Sequence, residues 1–100
     1  MVKHIVMWRL KDSFEGKGKK ELAREVREKL ETLTRNVPGL LMLEVGDNFD
    51  ASEGASDLVL TTAFKDRGAL MLYNTHPEHE KVKPYVKERV TERRVVDFEV

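Results

Sequence analysis

Residues Val2 to Leu10 carry apolar side chains on both faces of one strand, and this pattern constrains the fold more than any other in the chain. Val2, His4, Val6, Trp8 and Leu10 alternate onto one face. Ile5 and Met7 fall on the other, between Lys3 and Arg9. Period-two alternation with β-branched residues predicts a β-strand. Apolar residues on both faces predict a sheet that is covered on both sides.

The rest of the chain says what supplies the cover. Asp12 to Lys20 holds Gly16 and Gly18 and reads as a loop. Lys19 to Asn36 reads as one helix, because Leu22, Val26, Leu30, Leu33 and Val37 form a single stripe. The charges opposite, Glu25 and Lys29 among them, read as a solvated face. Val37-Pro38-Gly39 stops that helix. Leu40 to Asn48 and Leu58 to Phe64 read as strands, joined by the polar, mobile stretch Asp47 to Asp57. A short helix is expected over Ala69 to Asn74. Pro77 suits the first turn of another, Pro84 is expected to interrupt it, and Arg94 to Val100 alternates as a closing strand. Strand, helix, strand, strand, helix, strand is the ferredoxin-like split βαβ order of an α+β domain. Helices on one face leave Ile5 and Met7 bare on the other. A second copy packed there predicts a homodimer through the sheet faces.

Composition narrows the function classes. The 100 residues suit one domain spanning 1–100. Lys plus Arg and Asp plus Glu number 18 each, with interspersed signs, which argues against a nucleic-acid partner. The absence of cysteine excludes disulfides, thiolate metal sites and a Cys nucleophile. The apolar opening run is too short and interrupted for a signal or a membrane span, so the expected location is cytoplasmic. His76 and His79 are three apart, but Pro77 lies between them and no third metal ligand is evident, so no metal is expected. His76 reads instead as a cap for the helix that Pro77 opens.

Val2-Lys3-His4, Val37-Pro38-Gly39, Val45-Gly46-Asp47-Asn48, Asp57-Leu58-Val59-Leu60, Phe64, the run from Tyr73 to His79 and Val95-Val96-Asp97-Phe98 together resemble the stress-responsive dimeric A/B-barrel (Dabb) family over roughly residues 2 to 98. The resemblance implies a dimeric α/β barrel with helices on the outer face of each sheet. The family mixes stress-associated proteins without known activity with a cofactor-free polyketide cyclase. Carried over by position, the cyclase's general base falls on His79, its positioning hydroxyl on Tyr73, its supporting carboxylate on Asp97 and a pocket histidine on His4. The resemblance thus implies no cofactor and a small hydrophobic or polyketide-like ligand. The chain departs from the cyclase at Trp8, Val26 and Leu30 and in the charged run Glu80 to Lys83, which implies a different substrate.

The chemistry suits these residue types. Aldol closure removes a proton between two carbonyls, and imidazole, with a reference pKa of about 6.5, serves there. A carboxylate on its second nitrogen fixes the tautomer. An acid on an apolar strand face needs a partner, and for Asp97 the expected one is His79. A pocket between sheet and helices is expected to be lined by His4, Val6, Trp8, Val26, Leu30, Leu60, Thr62, Leu70, Tyr73 and Val95, with Val86 nearby. Three readings stay open: a cofactor-free cyclase or small-molecule binder, a non-catalytic stress-associated dimer in which these groups are structural, and a monooxygenase-like enzyme on the same fold.

Overall fold

The computed structural model describes residues 1–100. Strand β1 (Val2–Leu10) alternates buried and half-buried residues along its whole length, as its sequence requires. It lies inside the sheet, antiparallel to β5 (Leu58–Phe64) on one side and to β6 (Val90–Glu99) on the other. With β4 (Leu40–Asp47) beside β5, the strand order is β4-β5-β1-β6. This is the ferredoxin-like α+β arrangement.

Two short strands, β2 (Ser13–Phe14) and β3 (Lys17–Gly18), occupy the segment expected to be a plain loop. Glu15 and Gly16 both take positive φ, 51° and 78°, the signature of a tight two-residue hairpin turn. Helix α1 (Lys19–Glu31) buries Leu22, Val26 and Leu30. It does not run on to Asn36 as expected. The Thr32 hydroxyl donates to the Lys29 carbonyl at 2.6 Å, a local bond that competes with the helical ladder. A one-turn helix, α2 (Leu33–Asn36), follows, and Leu33 and Val37 stay buried on the same stripe.

Helix α3 (Arg67–Thr75) starts earlier than expected because the Asp66 carboxylate accepts from the Ala69 amide at 2.9 Å and caps it. Helix α4 (Pro77–Arg89) runs unbroken through Pro84. Pro84 removes one backbone donor, but it is exposed, so the freed carbonyl of Glu80 can turn to water. Buried Val82, Val86 and Arg89 hold the helix against the core on both sides of the proline. Strand β6 begins at Val90, four residues before the expected start at Arg94.

Sixteen apolar residues between sheet and helices form one buried cluster, with Phe64, Tyr73 and Leu22 fully enclosed. Truncating such a residue, as in Leu22→Ala, costs about 3 kcal/mol. The cross-strand register puts Ile5 opposite Thr61 and Val96, and Met7 opposite Val59 and Arg94, on the face away from the helices. That face is half-exposed along β1, and Val96 and Phe98 beside it are exposed. No helix is long and apolar enough to cross a membrane.

Candidate functional site

The end of α3, one side of α4 and the helix-side face of β1 and β6, with Leu30 and Leu60, line an open cavity of about 630 Å³. Each wall follows from local sequence. The alternation of β1 aims His4, Val6 and Trp8 inward. The i,i+4 pair Val82 and Val86 covers the cavity from α4. The capped turn at His76 and Pro77 sets the angle between α3 and α4, which brings His79 onto Tyr73. His76 Nδ1 accepts from the Glu78 amide at 3.1 Å, the capping role expected of it. No cluster of three or more His, Asp or Glu side chains stands close enough to hold a metal ion.

Of the expected lining, His4, Val6, Trp8, Leu30, Leu60, Tyr73 and Val86 meet at the cavity, and His79, expected as the base, joins them. Val26, Thr62, Leu70 and Val95 do not. Val26 and Leu70 are spent in the core. Thr62 is fully buried, with its hydroxyl donating to the His4 carbonyl at 3.0 Å. Val95 lies opposite Val6 on the helix-side face, but β6 is an edge strand and leaves it 44% exposed. Val82, Lys83, Lys87, Val90, Thr91, Glu92 and Arg93 complete the lining and were not anticipated. Their signal was the four-residue spacing of Val82, Val86 and Val90, masked by a proline read as a break.

The expected pairing of Asp97 with His79 does not form. Asp97 lies directly across from His4 in the β1–β6 register, and its carboxylate accepts from His4 Nδ1. His4 is buried and Asp97 partly exposed. His79 Nδ1 instead donates to the Asn74 carbonyl at 3.3 Å. Its ring stacks on Tyr73 with centroids 4.2 Å apart and planes 25° apart. Tyr73 also meets Phe64 at 5.0 Å and the edge of His4 at 6.0 Å.

The Tyr73 hydroxyl is buried and has no hydrogen-bond partner. Burial pushes its pKa up to about 12, against a smaller opposing pull from Arg93. Burial likewise holds His79 below the usual histidine value; the Asn74 carbonyl opposes this and the Lys83 charge adds to it. The site therefore holds a phenol that stays protonated and a His79 imidazole that favours its neutral form. With its Nδ1 bound to the Asn74 carbonyl, neutral His79 keeps a lone pair on Nε2, and the Nδ1 of His4 is likewise taken, by Asp97, leaving Nε2 as its free ring nitrogen.

Residues 2–100 match the family described as Stress responsive A/B Barrel Domain (Dabb). A dimeric protein of unknown function with a ferredoxin-like fold from Bacteroides fragilis is 29% identical, with a TM-score of 0.85 over 99% of this chain and 95% of that one. A dimeric ferredoxin-like protein of unknown function from Jannaschia sp. CCS1 is 27% identical, with a TM-score of 0.78 over 99% and 98%. The hydroxynitrile lyase of Passiflora edulis shares the fold at 12% identity, with a TM-score of 0.83 over 97% and 90%. No curated protein matches the chain.

Proposed function

The chain belongs to the Stress responsive A/B Barrel Domain family, and from that premise we propose that residues 1–100 work as one domain of a cytoplasmic homodimer that takes a small, largely apolar, oxygen-bearing molecule into the cavity and removes a proton from it. The observation that carries this reading is the buried Tyr73 hydroxyl without a partner, set beside a cavity that two histidines line. An unpaired buried hydroxyl destabilises the free protein and gains its bond when a ligand oxygen arrives.

The roles follow from the hydrogen bonds. Asp97 orients His4 and stabilises the imidazolium that forms there, so His4 is the supported base in this proposal. Tyr73, protonated at neutral pH, donates to the oxygen on which charge develops. His79, held neutral by burial, is a second proton acceptor. Support for the dimer comes from the apolar sheet face around Ile5, Met7, Val59 and Val96 and from the dimeric Bacteroides and Jannaschia proteins. The hydroxynitrile lyase of like fold is evidence that the scaffold can house an enzyme, not evidence for its substrate. A stress role rests on the family's description, and the monooxygenase-like alternative on fold alone.

A non-catalytic reading draws on one observation, the His79 ring stacked over Tyr73 as ordinary packing. The two readings separate in deuterium exchange. A 1,3-diketone bound in the cavity is expected to exchange its central protons faster than in buffer, and His4→Gln is expected to abolish that excess. Exchange at the buffer rate, with no thermal shift from any β-keto or aromatic compound, would sink the proposal.

A further inference from the structure

The cavity is uneven in charge, and the unevenness points to one class of ligand. Its inner wall is mostly apolar, with Val6, Trp8, Leu30 and Leu60 beside the buried His4 and Tyr73. Its rim carries Lys83 and Lys87 from α4 and Arg93 from β6, against one carboxylate, Glu92. Glu92 is already engaged, 2.5 Å from Arg94 and 3.9 Å from Arg9. Lys83 is engaged too, donating to Glu80 at 2.6 Å and to the Asn74 carbonyl at 2.9 Å. Lys87 and Arg93 have no acidic side chain within ion-pair distance, whereas Lys83 and Glu92 both have oppositely charged partners. They come from different elements and stand over the same apolar hole. Arg93 also acts electrostatically on the Tyr73 hydroxyl, so its charge addresses the interior and not only solvent.

We propose that the ligand is an amphipathic carboxylate, its apolar body seated against Trp8 and Leu60 and its carboxylate held at the rim between Lys87 and Arg93. This rests on the cavity being the ligand site, as proposed above. The planar guanidinium of Arg93 matches the two oxygens of a carboxylate. Two unpaired cations suit a single negative charge, and the apolar depth excludes a fully solvated anion such as free phosphate. Neutral amphiphiles fit the depth but leave both cations unanswered.

Trp8 is the sole tryptophan, and it lines the cavity, so its fluorescence reports occupancy directly. Octanoate and 1-octanol share an apolar chain and differ in the head group. At low salt, octanoate is expected to change Trp8 emission at roughly ten-fold lower concentration than 1-octanol, a factor in keeping with two partly screened cations. At about 1 M salt, where the screening length is about 3 Å, that advantage is expected to vanish. The double variant Lys87→Gln, Arg93→Gln is expected to bring octanoate to the level of 1-octanol while leaving the 1-octanol response in place, which also shows that the variant is folded. Equal binding of the two compounds by the unaltered protein overturns the carboxylate assignment and leaves the cavity reading standing. No response to either compound overturns both.

Discussion

Replacing Tyr73 with phenylalanine isolates the hydroxyl on which the proposed function depends. The ring keeps its packing, because Phe64 at 5.0 Å and His79 at 4.2 Å contact the aromatic face and not the oxygen. What changes is one buried hydroxyl without a partner. Leaving such a group unpaired costs about 1–3 kcal/mol in mutational series. Tyr73→Phe is therefore expected to stabilise the free protein by about 1 kcal/mol, against the usual destabilising trend of core substitutions. For a chain of 100 residues this corresponds to a rise in Tm of about 5 °C. Calorimetry at one fixed protein concentration measures it, since any dimer makes Tm depend on concentration. The same variant is expected to lose both the thermal shift caused by oxygen-bearing ligands and the excess deuterium exchange. A fall in Tm of 5 °C or so (about 1 kcal/mol) would refute the reasoning, because it would mean that the hydroxyl is hydrogen-bonded in the free protein and has nothing in reserve for a ligand.

Three further outcomes test other parts of the structure. His79 is depressed in the folded state, so the unfolded chain binds the extra proton first as pH falls. Its contribution to stability is full above about pH 6.5 and is lost as pH falls from there toward the folded value. Thermal melts from about pH 7.5 to about pH 5 are expected to show a smaller loss in His79→Gln than in the parent, and equal losses contradict this. Ile5→Glu puts a charge on the apolar sheet face and is expected to raise the dimer dissociation constant by about 100-fold or more, given several kcal/mol for an uncompensated buried charge; light scattering against dilution reads the change. Arg89, 6% exposed, pairs with Glu25 at 3.1 Å and packs over Tyr85 at 3.6 Å. Arg89→Ala is expected to cost about 2 kcal/mol by urea unfolding, less than a fully orphaned buried charge, because Lys17 still holds Glu25 at 2.5 Å.

The fold was legible because its signals are periodic and local. The two-faced alternation of β1, the stripe from Leu22 to Val37 and the Tyr73-to-His79 turn each state their own geometry, and a strand, helix, strand, strand, helix, strand order leaves little choice of topology. Legibility failed where a local rule met a tertiary one. Pro84 is a helix breaker in isolation, yet burial of Val82 and Val86 carries α4 through it. Thr32 is a tolerated helix residue, yet its hydroxyl bond to Lys29 ends α1.

The site was legible in its members but not in their pairing, and the reason is register. Whether Asp97 meets His79 or His4 depends on how β6 slides along β1, and a strand of alternating residues fits its neighbour equally well at any even shift. The observed register is pinned at both ends of β6. The Lys11 amide donates to the Arg89 carbonyl at 2.9 Å where α4 runs into β6, and the Val100 amide donates to the Met1 carbonyl at 2.9 Å at the far end. A bulge opposite Arg9 and Leu10, with Thr91 as the extra residue on β6, shifts the register between them. Those anchors set Asp97 opposite His4 and leave His79 to Tyr73 and Asn74. The carboxylate-bound histidine is thus the one on the strand, while the helical histidine is free of Asp97 and stacks on the Tyr73 ring. In the proposed function this makes the carboxylate-supported base a residue of the central strand β1, with the unpartnered Tyr73 hydroxyl left for the ligand.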